Sequence, residues 1–470
     1  MATPQTAETT AASGQSQSEA LAAFAAGLSY EAIPTEISER SKYLILDAIG
    51  IAMAAKQFPF AGRILDGLKA IGEPGGSSLV GYADKLSVRD AAIMNGALIH
   101  GLDYDDTHMK AVVHATSATL PATLVMGEKL GASGRDMLTA YVIGMEAAIR
   151  IGMAANFGFH HNGLHATGIV SHFASALIAG RLLGHDAEQL AMAQGLVGST
   201  AQASQQFVDD GAWNKRFHPG WGAAAGITAA YLAQHGFVAP KQPYEGRFGL
   251  FQTLTKHGDD CRPEEISADL GQRWEGVESA IKPYPTCHFT HAVADAALAL
   301  RKEHGLAPDA IDHIRVLLPQ DVIPIVVEPV AAKRRPVSDY DAKFSAQFIA
   351  AACFVRGKFG LAELEDDALA DPAILALADK VDCSPDPDAD FPRVYPGAVV
   401  VSTKDGGEFV HTERVNRGAA ERALTEAEIV EKYDANARLS ADAARVSAVK
   451  DAVLGLDALD GRTFAAALSG

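Results

Sequence analysis

The sequence predicts a mainly α-helical protein, made of an all-helical bundle domain and a smaller α+β domain. Aromatic residues make up only 7% of an apolar, Ala-rich chain, and helical apolar periods follow one another up to about residue 275. The alternation typical of strands begins only after about residue 280. The chain has 470 residues, more than the roughly 250 to 300 at which a single core stops growing, so we expect two domains.

The chain begins with a polar stretch, residues 1–18, which lacks the basic and apolar regions of a signal peptide and is predicted to be a flexible tail. The helical domain is predicted to extend from residue 19 to 275. Apolar residues recur there at the spacing of one helix face. The predicted helices cover residues 38–56, 87–102, 137–155, 171–184 and 220–236.

Capping residues support several of these helix ends. Ser87 and Asp90 form a capping-box pattern at one start, and Gly184 and Gly236 are predicted C-terminal stops. Many small residues on the helix faces allow close approach between helices. This pattern is typical of a helical bundle.

The predicted α+β domain, residues 276–425, contains both strand and helix patterns. Residues 311–319 alternate as a strand, and residues 397–415 predict two strands around an Asp-Gly-Gly turn. Residues 338–357 and 361–381 are predicted to be helical. The remaining segment, residues 426–470, begins with a capping box and is predicted to return as helices to the first domain.

Composition excludes several classes of partner. The formal net charge of -18, from 58 acidic and 40 basic residues, disfavours nucleic acid and anionic membrane surfaces. An anionic substrate would need a locally basic pocket. Four cysteines show no disulfide or metal spacing, and no uncharged apolar run reaches the roughly 18 residues of a membrane span, so we expect a cytoplasmic protein.

Residues 100–114, HGLDYDDTHMKAVVH, form the densest cluster of ionisable groups in the chain. Buried unpaired charges are costly, so such a cluster is either a solvated turn or a site where shifted pKa values do chemistry. If the segment were one continuous helix, Asp103, Thr107, Lys110 and His114 would share a face. The alternative is a polar turn between helices.

Other motifs give little support for a metal or nucleotide. His161 and His165 are four residues apart, but Gly163 weakens a helix there and HExxH is absent. Neither GxGxxG nor GxxxxGK[ST] occurs, and GxSxG is also missing. We therefore expect no metal and no nucleotide cofactor.

Two cationic loops predict an anion site. One carries Lys215, Arg216 and His218 at the start of a small-residue helix, and the other is AIKPYPTCHFTH, with Lys282, His288 and His291. A helix N-terminus with Lys and His beside it attracts anions. Together the two loops are predicted to hold carboxylates.

The chain resembles the MmgE/PrpD family from about residue 20 to its end. The resemblance rests on five motifs in the same order: HGLDYDDTH with the following His114, GLHATGIVSHFASALIAGRLLG, GAWNKRFHPGWGAAAGITAAYLAQHGF with YEGRFGLF, IKPYPTCHFTHAVADA, and DAKFSAQF. It implies a helical domain, an α+β lid domain, a homodimer, and cofactor-free chemistry on small polycarboxylates in a site between helical domain and lid.

Carried over by position, the resemblance implies site residues in several of these motifs. The implied catalytic residues are Asp103, Thr107, His114, His165, Lys215 and Lys282, and the implied substrate-binding residues are Lys215, Lys282, Cys287 and His218. The family's animal cis-aconitate decarboxylases carry a His where this chain has Cys287, and the usual His-Pro-Ser is His114-Ala115-Thr116 here. The spacing from Asp106 to His114 is closer to that of the fungal decarboxylases.

The leading hypothesis from the sequence is a cofactor-independent dehydratase or hydratase of a tricarboxylate such as 2-methylcitrate. Lys215 and Lys282 would bind carboxylates, His114 or His165 would move protons, Asp103 would orient a His, and Thr107 would position substrate. Three alternatives stay open: a decarboxylase of cis-aconitate, an epimerase of an imino- or amino-dicarboxylate, and a non-catalytic carboxylate-binding dimer.

Overall fold

The computed structural model describes residues 14–470. It confirms the predicted fold class, with mainly helical structure and only small sheets. Most of the predicted tail lies outside the described residues, but helix α1 begins at Gln17, capped by Ser16, so it starts two residues inside that tail. Buried side chains form two separate cores, a large one among the helices and a smaller one around a sheet.

The helical part contains twelve α-helices and two short antiparallel strand pairs among residues 14–290. The helices are α1 (Gln17–Gly27), α2 (Thr35–Ala55), α3 (Pro59–Ile71), α4 (Val88–His100), α5 (Ala115–Leu130), α6 (Gly134–Ala154), α7 (Gly158–His161), α8 (Ala166–Leu182), α9 (Ala187–Val197), α10 (Phe207–Asp210), α11 (Asn214–Gln234) and α12 (Leu250–Leu254). The strand pairs are β1 (Ser77–Leu79) with β2 (Tyr82–Leu86), and β3 (Thr107–His108) with β4 (Ser279–Ala280).

All five helices predicted in this part are confirmed, as α2, α4, α6, α8 and α11. Ser87 caps α4 by accepting from the Asp90 amide, and Gly184 and Gly236 take the positive φ values of C-terminal stops. The prediction missed α5, whose first half is rich in Thr and Ser and which carries Pro121 inside. Those residues have low helix propensity, and packing overrides it because α5 is buried along most of its length.

Small residues bring α4 and α11 into close contact. A Cβ atom added at Gly96 of α4 would lie 2.4 Å from the Cα of Gly220 in α11. No side chain fits at that crossing. The glycines therefore set the distance between two helices that carry site residues near their ends.

Replacing Gly96 by alanine is expected to lower the free energy of unfolding by about 1 to 3 kcal/mol, because the new methyl group would push α4 from α11. Urea denaturation measures the change. Gly62 of α3 is a matched control, since it is helical and exposed and a Cβ there meets nothing within 4 Å. Gly62→Ala is expected to be neutral or stabilising, and an equal loss in both variants would contradict the packing argument.

The α+β part surrounds a mixed four-stranded sheet with strand order β6-β5-β7-β8. Strands β5 and β6 are parallel, and the other neighbours are antiparallel. The elements are α13 (His291–His304), β5 (Ile311–Leu318), α14 (Ile323–Val326), α15 (Val330–Arg334), α16 (Asp339–Lys343), α17 (Ala346–Arg356), α18 (Asp366–Leu369), α19 (Pro372–Ala378), β6 (Val381–Pro385), β7 (Gly397–Thr403) and β8 (Glu408–Glu413).

The predicted strands β5, β7 and β8 are confirmed, but two predicted helices differ from the structure. The helix expected over 338–357 is broken into α16 and α17, because the side chain of Ser345 accepts from the Phe348 amide and starts a new helix. The helix expected over 361–381 is α18 and α19 followed by β6. Strand β6 was missed because its register comes from pairing with β5 rather than from its own pattern.

The chain ends in helices α20 (Glu426–Ala437), α21 (Ala443–Leu454) and α22 (Gly461–Leu468). The Thr425–Glu428 capping box is confirmed at the start of α20. Their buried side chains belong to the large helical core. On α20, Lys432 pairs with Asp47 of α2 at 2.7 Å.

Helix α6 is long and apolar enough to cross a membrane by length and composition alone, and α2 with α3 would qualify only as one span bent by 85°. Within α6, 94% of the apolar window is buried inside the protein. Helix α6 is therefore a core helix of the bundle, between α5 and α8.

Candidate active site

A cavity lies between the helical part and the α+β part, with an empty volume of about 580 Å³ that includes its mouth. Six of its lining residues are the predicted catalytic set: Asp103, Thr107, His114, His165, Lys215 and Lys282. The other lining residues are Val112, His160, Gln205, Phe207, Val208, Cys287, His288, Phe289, Ile325, Phe344 and Tyr395. The predicted catalytic residues therefore come together in one place.

The acidic segment is not a helix. After α4 the chain turns through Asp103 (φ 53°), forms the two-residue strand β3, and turns again through Val112 (φ 51°). The shared helical face was therefore the wrong reason for grouping Asp103, Thr107, Lys110 and His114. Lys110, the fourth residue of that predicted face, is exposed. Asp103, Thr107 and His114 meet because the loop folds back on itself, with the His108 amide donating to the Val113 carbonyl.

Asp103 is held between two lysines. Its Oδ1 accepts hydrogen bonds of 2.8 Å from both Lys215 and Lys282. Lys215 is the second residue of α11, and Lys282 follows β4. All three side chains are buried.

The two ammonium groups decide the charge of Asp103. Burial by itself would raise the pKa of this carboxyl, but Lys215 and Lys282 outweigh it and hold the pKa well below its usual value. Asp103 is therefore an anion at neutral pH. Its Oδ2 has no hydrogen-bond partner among the described residues.

His114 and His165 occupy equivalent positions at the starts of two helices. Each is the N-cap residue of a His-Ala-Thr sequence, His114 at α5 and His165 at α8. The His114 amide donates to the hydroxyl of Thr167, at 3.0 Å, which joins the two helix starts. The cavity therefore lies beside two helix N-termini, where partial positive charge favours an anion.

The tautomer of His114 follows from its neighbours. Its Nδ1 lies 3.0 Å from the Asp106 carbonyl, which only accepts, so Nδ1 carries the proton. Thr107 Oγ1 is 3.3 Å from the same nitrogen. Burial lowers the pKa of His114 well below its usual value, so the ring is neutral and Nε2 presents a lone pair 3.9 Å from Asp103 Oδ1.

His165 is backed by His218. Their Nδ1 atoms are 3.1 Å apart, and His165 Nε2 is buried without a hydrogen-bond partner in the described part of the chain. Burial lowers the pKa of His165 well below its usual value and that of His218 to about 4. His218 lies behind His165 and does not line the cavity, so the structure separates it from the other predicted substrate-binding residues.

Cys287 also lines the cavity. Its amide donates to the Lys343 carbonyl at 2.9 Å. Burial raises the pKa of the thiol, with a further contribution from Asp103. Cys287 is therefore a neutral, weakly polar group in the lining at neutral pH.

Sequence reasoning missed several groups around the site. His100 Nδ1 donates to the Asp105 carboxylate at 2.9 Å, and Asp106 accepts from the Thr116 amide at the start of α5. His288, which the sequence placed in the second cationic loop without a role, lines the cavity and lies 2.6 Å from the Asn416 amide nitrogen. Asp105 and Asp106 contact neighbours of the site and do not line the cavity. The repeated His-Ala-Thr was the signal that would have linked the two helix starts.

Two groups of side chains have metal-ligand composition: His100, His114 and His165, and Asp103, Asp105 and His114. A metal ion binds in the plane of each imidazole, but the rings of His100 and His165 are stacked at 16° to one another, an arrangement unsuited to a shared ion. In the second group Asp103 already binds two ammonium groups. The donor geometry therefore fits a metal poorly, and His161 lies outside both groups.

The lining of the cavity is partly polar and partly apolar. The polar groups include the two lysines and neutral histidines, and the apolar groups include Phe207, Phe289 and Ile325, with the Phe207 ring packed against that of His165. Such a site suits a small anion whose charge is bound by the lysines and whose reacting carbon is kept away from water.

Comparisons with known proteins agree with this architecture. The model described as MmgE/PrpD N-terminal domain matches residues 19–261, and that described as MmgE/PrpD C-terminal domain matches residues 284–457. Cis-aconitate decarboxylase of Aspergillus terreus is 29% identical over 97% of this chain and 96% of its own length. The human cis-aconitate decarboxylase is 28% identical over 90% and 88%, and 2-methylcitrate dehydratase of Salmonella typhimurium is 23% identical over 87% and 88%. The chain belongs to the MmgE/PrpD family.

Proposed function

We propose that the protein is a cofactor-independent lyase acting on a small polycarboxylate in this cavity. The observation that carries the proposal is the Asp103 carboxylate, buried between Lys215 and Lys282 beside two neutral histidines. The relatives named above are decarboxylases and a dehydratase, and both reactions are lyase reactions.

The lysines retain donors for a substrate. An ammonium has three N–H donors. Lys282 uses two, on the carbonyl and Oδ1 of Asp103, and Lys215 uses one on Oδ1. The unused donors and the helix starts at His114 and His165 supply the local positive potential that a polycarboxylate needs in a protein of net charge -18.

Decarboxylation of cis-aconitate is the reaction we propose first. Loss of carbon dioxide breaks a carbon–carbon bond and leaves an electron pair, which spreads over the adjacent double bond and carboxylate before a carbon is protonated. Lys215 and Lys282 would stabilise that charge, and the apolar side chains of the lining would favour neutral carbon dioxide over the carboxylate. The 29% sequence identity to the Aspergillus terreus decarboxylase, over nearly the whole chain, supports placing decarboxylation before dehydration.

Dehydration of a tricarboxylate such as 2-methylcitrate is the second candidate. It needs a base for a carbon-bound proton and an acid for the leaving hydroxyl. His114 suits the base, since Nδ1 donates to a carbonyl and Nε2 keeps its lone pair. The 23% identity to a 2-methylcitrate dehydratase supports this reaction less strongly.

Proton NMR in deuterated water distinguishes the candidates. Purified protein would be incubated separately with cis-aconitate, 2-methylcitrate and an imino-dicarboxylate, with a Lys215→Met preparation as the control for contaminating enzymes. A terminal methylene product from cis-aconitate supports the decarboxylase, loss of water from 2-methylcitrate supports the dehydratase, and deuterium exchange without fragmentation indicates an epimerase. No change in any substrate would contradict the proposed lyase and favour a carboxylate-binding protein.

We also propose that the protein forms a homodimer through the exposed apolar face of α11. This face carries Phe217, Trp221 and Leu232, which are 36%, 51% and 41% exposed. They line a surface groove together with Ile71 of α3. Apolar patches of this kind are typical of association surfaces. Light scattering is expected to give the mass of two chains, and Trp221→Glu is expected to give one; a monomeric wild type would contradict the proposal.

A further inference from the structure

Three consecutive backbone carbonyls at the cavity, those of residues 102, 103 and 104, each accept a hydrogen bond from a different buried lysine. The bonds are Lys343 Nζ to the Leu102 carbonyl at 2.7 Å, Lys282 Nζ to the Asp103 carbonyl at 2.9 Å, and Lys432 Nζ to the Tyr104 carbonyl at 2.9 Å. The middle carbonyl belongs to the carboxylate residue on which the proposed function rests.

The three lysines come from distant parts of the chain. Lys282 follows β4, Lys343 is the last residue of α16 in the α+β part, and Lys432 lies on α20 at the end of the chain. Their side chains are nearly or completely buried. Burying an ammonium group is costly unless it is paired. Three buried lysines on one short turn therefore indicate a role beyond packing.

Of the three lysines, Lys343 has the weakest pairing with a carboxylate. Lys282 binds the Asp103 carboxylate, and Lys432 binds Asp47 at 2.7 Å. The nearest carboxylate to Lys343 Nζ is Asp339, at 3.8 Å. Asp339 is itself bound to Arg216 of α11 at 2.9 Å, so Lys343 receives only part of that negative charge.

The position of Lys343 links two residues that line the cavity. Its ammonium holds the carbonyl that precedes Asp103, and its own carbonyl accepts from the Cys287 amide at 2.9 Å. Asp103 also has a positive φ of 53°, a region that is uncommon for residues other than glycine but that Asp adopts more readily than most. A hydrogen bond on the preceding carbonyl fixes the peptide group next to this residue.

We propose that Lys343 is a positioning residue, which holds Asp103 in line with Lys215 and Lys282 and couples that arrangement to the α+β part of the protein. This inference rests on the proposed function for its activity readout, but it also predicts a geometry that does not depend on turnover. Lys343 does not line the cavity, so it acts through Asp103 rather than on substrate.

Titration of Lys343 supplies a specific signature. Burial lowers its pKa to about 7, against the opposing effect of Asp339, and the neighbouring cations Arg216 and Lys282 lower it further, while Asp103 raises it. As pH rises through about 7, Lys343 loses its charge and its hydrogen bond to the Leu102 carbonyl weakens. We expect kcat to decline on that alkaline side.

The test uses Lys343→Met and Lys343→Arg on the substrate that the wild type converts. Lys343→Met is expected to lower kcat by about 30-fold with less than a threefold change in KM. Lys343→Arg is expected to recover most of the rate and to move the alkaline decline to higher pH, since arginine stays charged. Lys380→Met is the matched control, because Lys380 also donates to a backbone carbonyl, that of Ile311, but lies away from the cavity; we expect it to leave kcat unchanged.

A crystal structure of Lys343→Met gives the second readout. The expected result is a displaced turn at residues 102–103, with at least one of the two 2.8 Å contacts of Asp103 Oδ1 lost. An unmoved turn, an effect on kcat no larger than that of Lys380→Met, or an unchanged pH profile in Lys343→Arg would overturn the positioning role. If the wild type converts no substrate but the turn moves, the proposed function fails and the positioning role stands; if Lys343→Met does not fold, the pH profile of Lys343→Arg decides.

Discussion

Lys215→Met is expected to lower kcat/KM for the polycarboxylate substrate by about a thousandfold, equivalent to ~4 kcal/mol of lost transition-state stabilisation. Lys215 is buried and binds only the Asp103 carboxylate among the described residues, so its remaining donors are available to substrate. The substitution removes a positive charge from the place where negative charge develops. It also leaves Asp103 with one ammonium instead of two, which raises the pKa of that carboxyl towards its ordinary value.

Two variants separate this effect from a general loss of charge. Lys110→Met removes an exposed lysine from the same loop and is expected to leave kcat/KM within about twofold. Lys215→Arg keeps the charge but presents a planar group, so it is expected to restore only part of the rate. Steady-state kinetics measure all three. A similar loss in Lys110→Met and Lys215→Met would contradict the assignment of Lys215 to the site.

Much of the fold follows from local pattern, and the exceptions have physical causes. Helices α2, α4, α6, α8 and α11 were predictable because their apolar periods are long and uninterrupted. Helix α5 was not predictable, since Thr, Ser and Pro121 have low helix propensity. Its stability comes from burial among its neighbours. Strand β6 likewise depends on its parallel partner β5. Tertiary contacts of this kind leave no periodic signal.

The candidate site likewise follows in part from the sequence and in part from tertiary contacts that the sequence does not show. Residue chemistry and the family motifs placed Asp103, Lys215 and Lys282 in one site, and the structure brings them together. No local pattern shows that Asp103 meets lysines that lie 112 and 179 positions further along the chain. The roles inside the acidic segment were also beyond sequence reasoning, because a helical face was assumed where the chain makes turns of positive φ.

The predicted boundaries at residues 19, 276 and 426 stay predictions, but the cores explain why a cavity forms where the two parts meet. Met109 and Val112 of the acidic segment belong to the smaller core, whereas Leu102 and Val113 belong to the larger one. The segment thus passes between the cores, and its charged side chains fall at the junction. Lys215 and Lys282 neutralise Asp103 there, which makes a basic, enclosed site in an acidic protein.

Acidification from pH 7.5 to 5.5 is expected to destabilise the protein by several kcal/mol, a large share of a typical free energy of unfolding. Histidines cause this, because burial lowers their pKa in the folded state. They are His114, His165, His172, His288 and His291, which are buried, together with His160 and His218. In the unfolded chain they titrate near pH 6.5. Their stabilising effect is complete above that pH and is lost as the pH falls towards the folded-state values.

Buried carboxyl groups and Lys343 oppose this trend but are outnumbered by the histidines. Burial raises the pKa of Asp106 to about 7 and also raises those of Asp47 and Glu146, and it lowers the pKa of Lys343 to about 7. The folded state takes up protons at these groups as the pH falls while their protonation in the unfolded chain hardly changes, so they add stability. Asp103, whose folded pKa is lowered, acts only below the ordinary range of a carboxyl. The histidines therefore dominate between pH 6.5 and about 5.

Urea denaturation at several pH values measures the balance, because the slope of the unfolding free energy against pH counts the protons taken up on unfolding. His172 provides the sharpest variant: it is buried away from the cavity, its pKa is lowered to about 4, and its Nδ1 donates to the Gly168 carbonyl. His172→Asn is expected to reduce the slope between pH 6.5 and 5 by about one proton, whatever it does to stability at pH 7.5. His235, which is exposed, is the control, and His235→Gln should leave the slope unchanged. A wild-type stability that stays flat from pH 7.5 to 5 would show that these imidazoles gain protons inside the fold, and the neutral bases assigned to His114 and His165 would then be wrong.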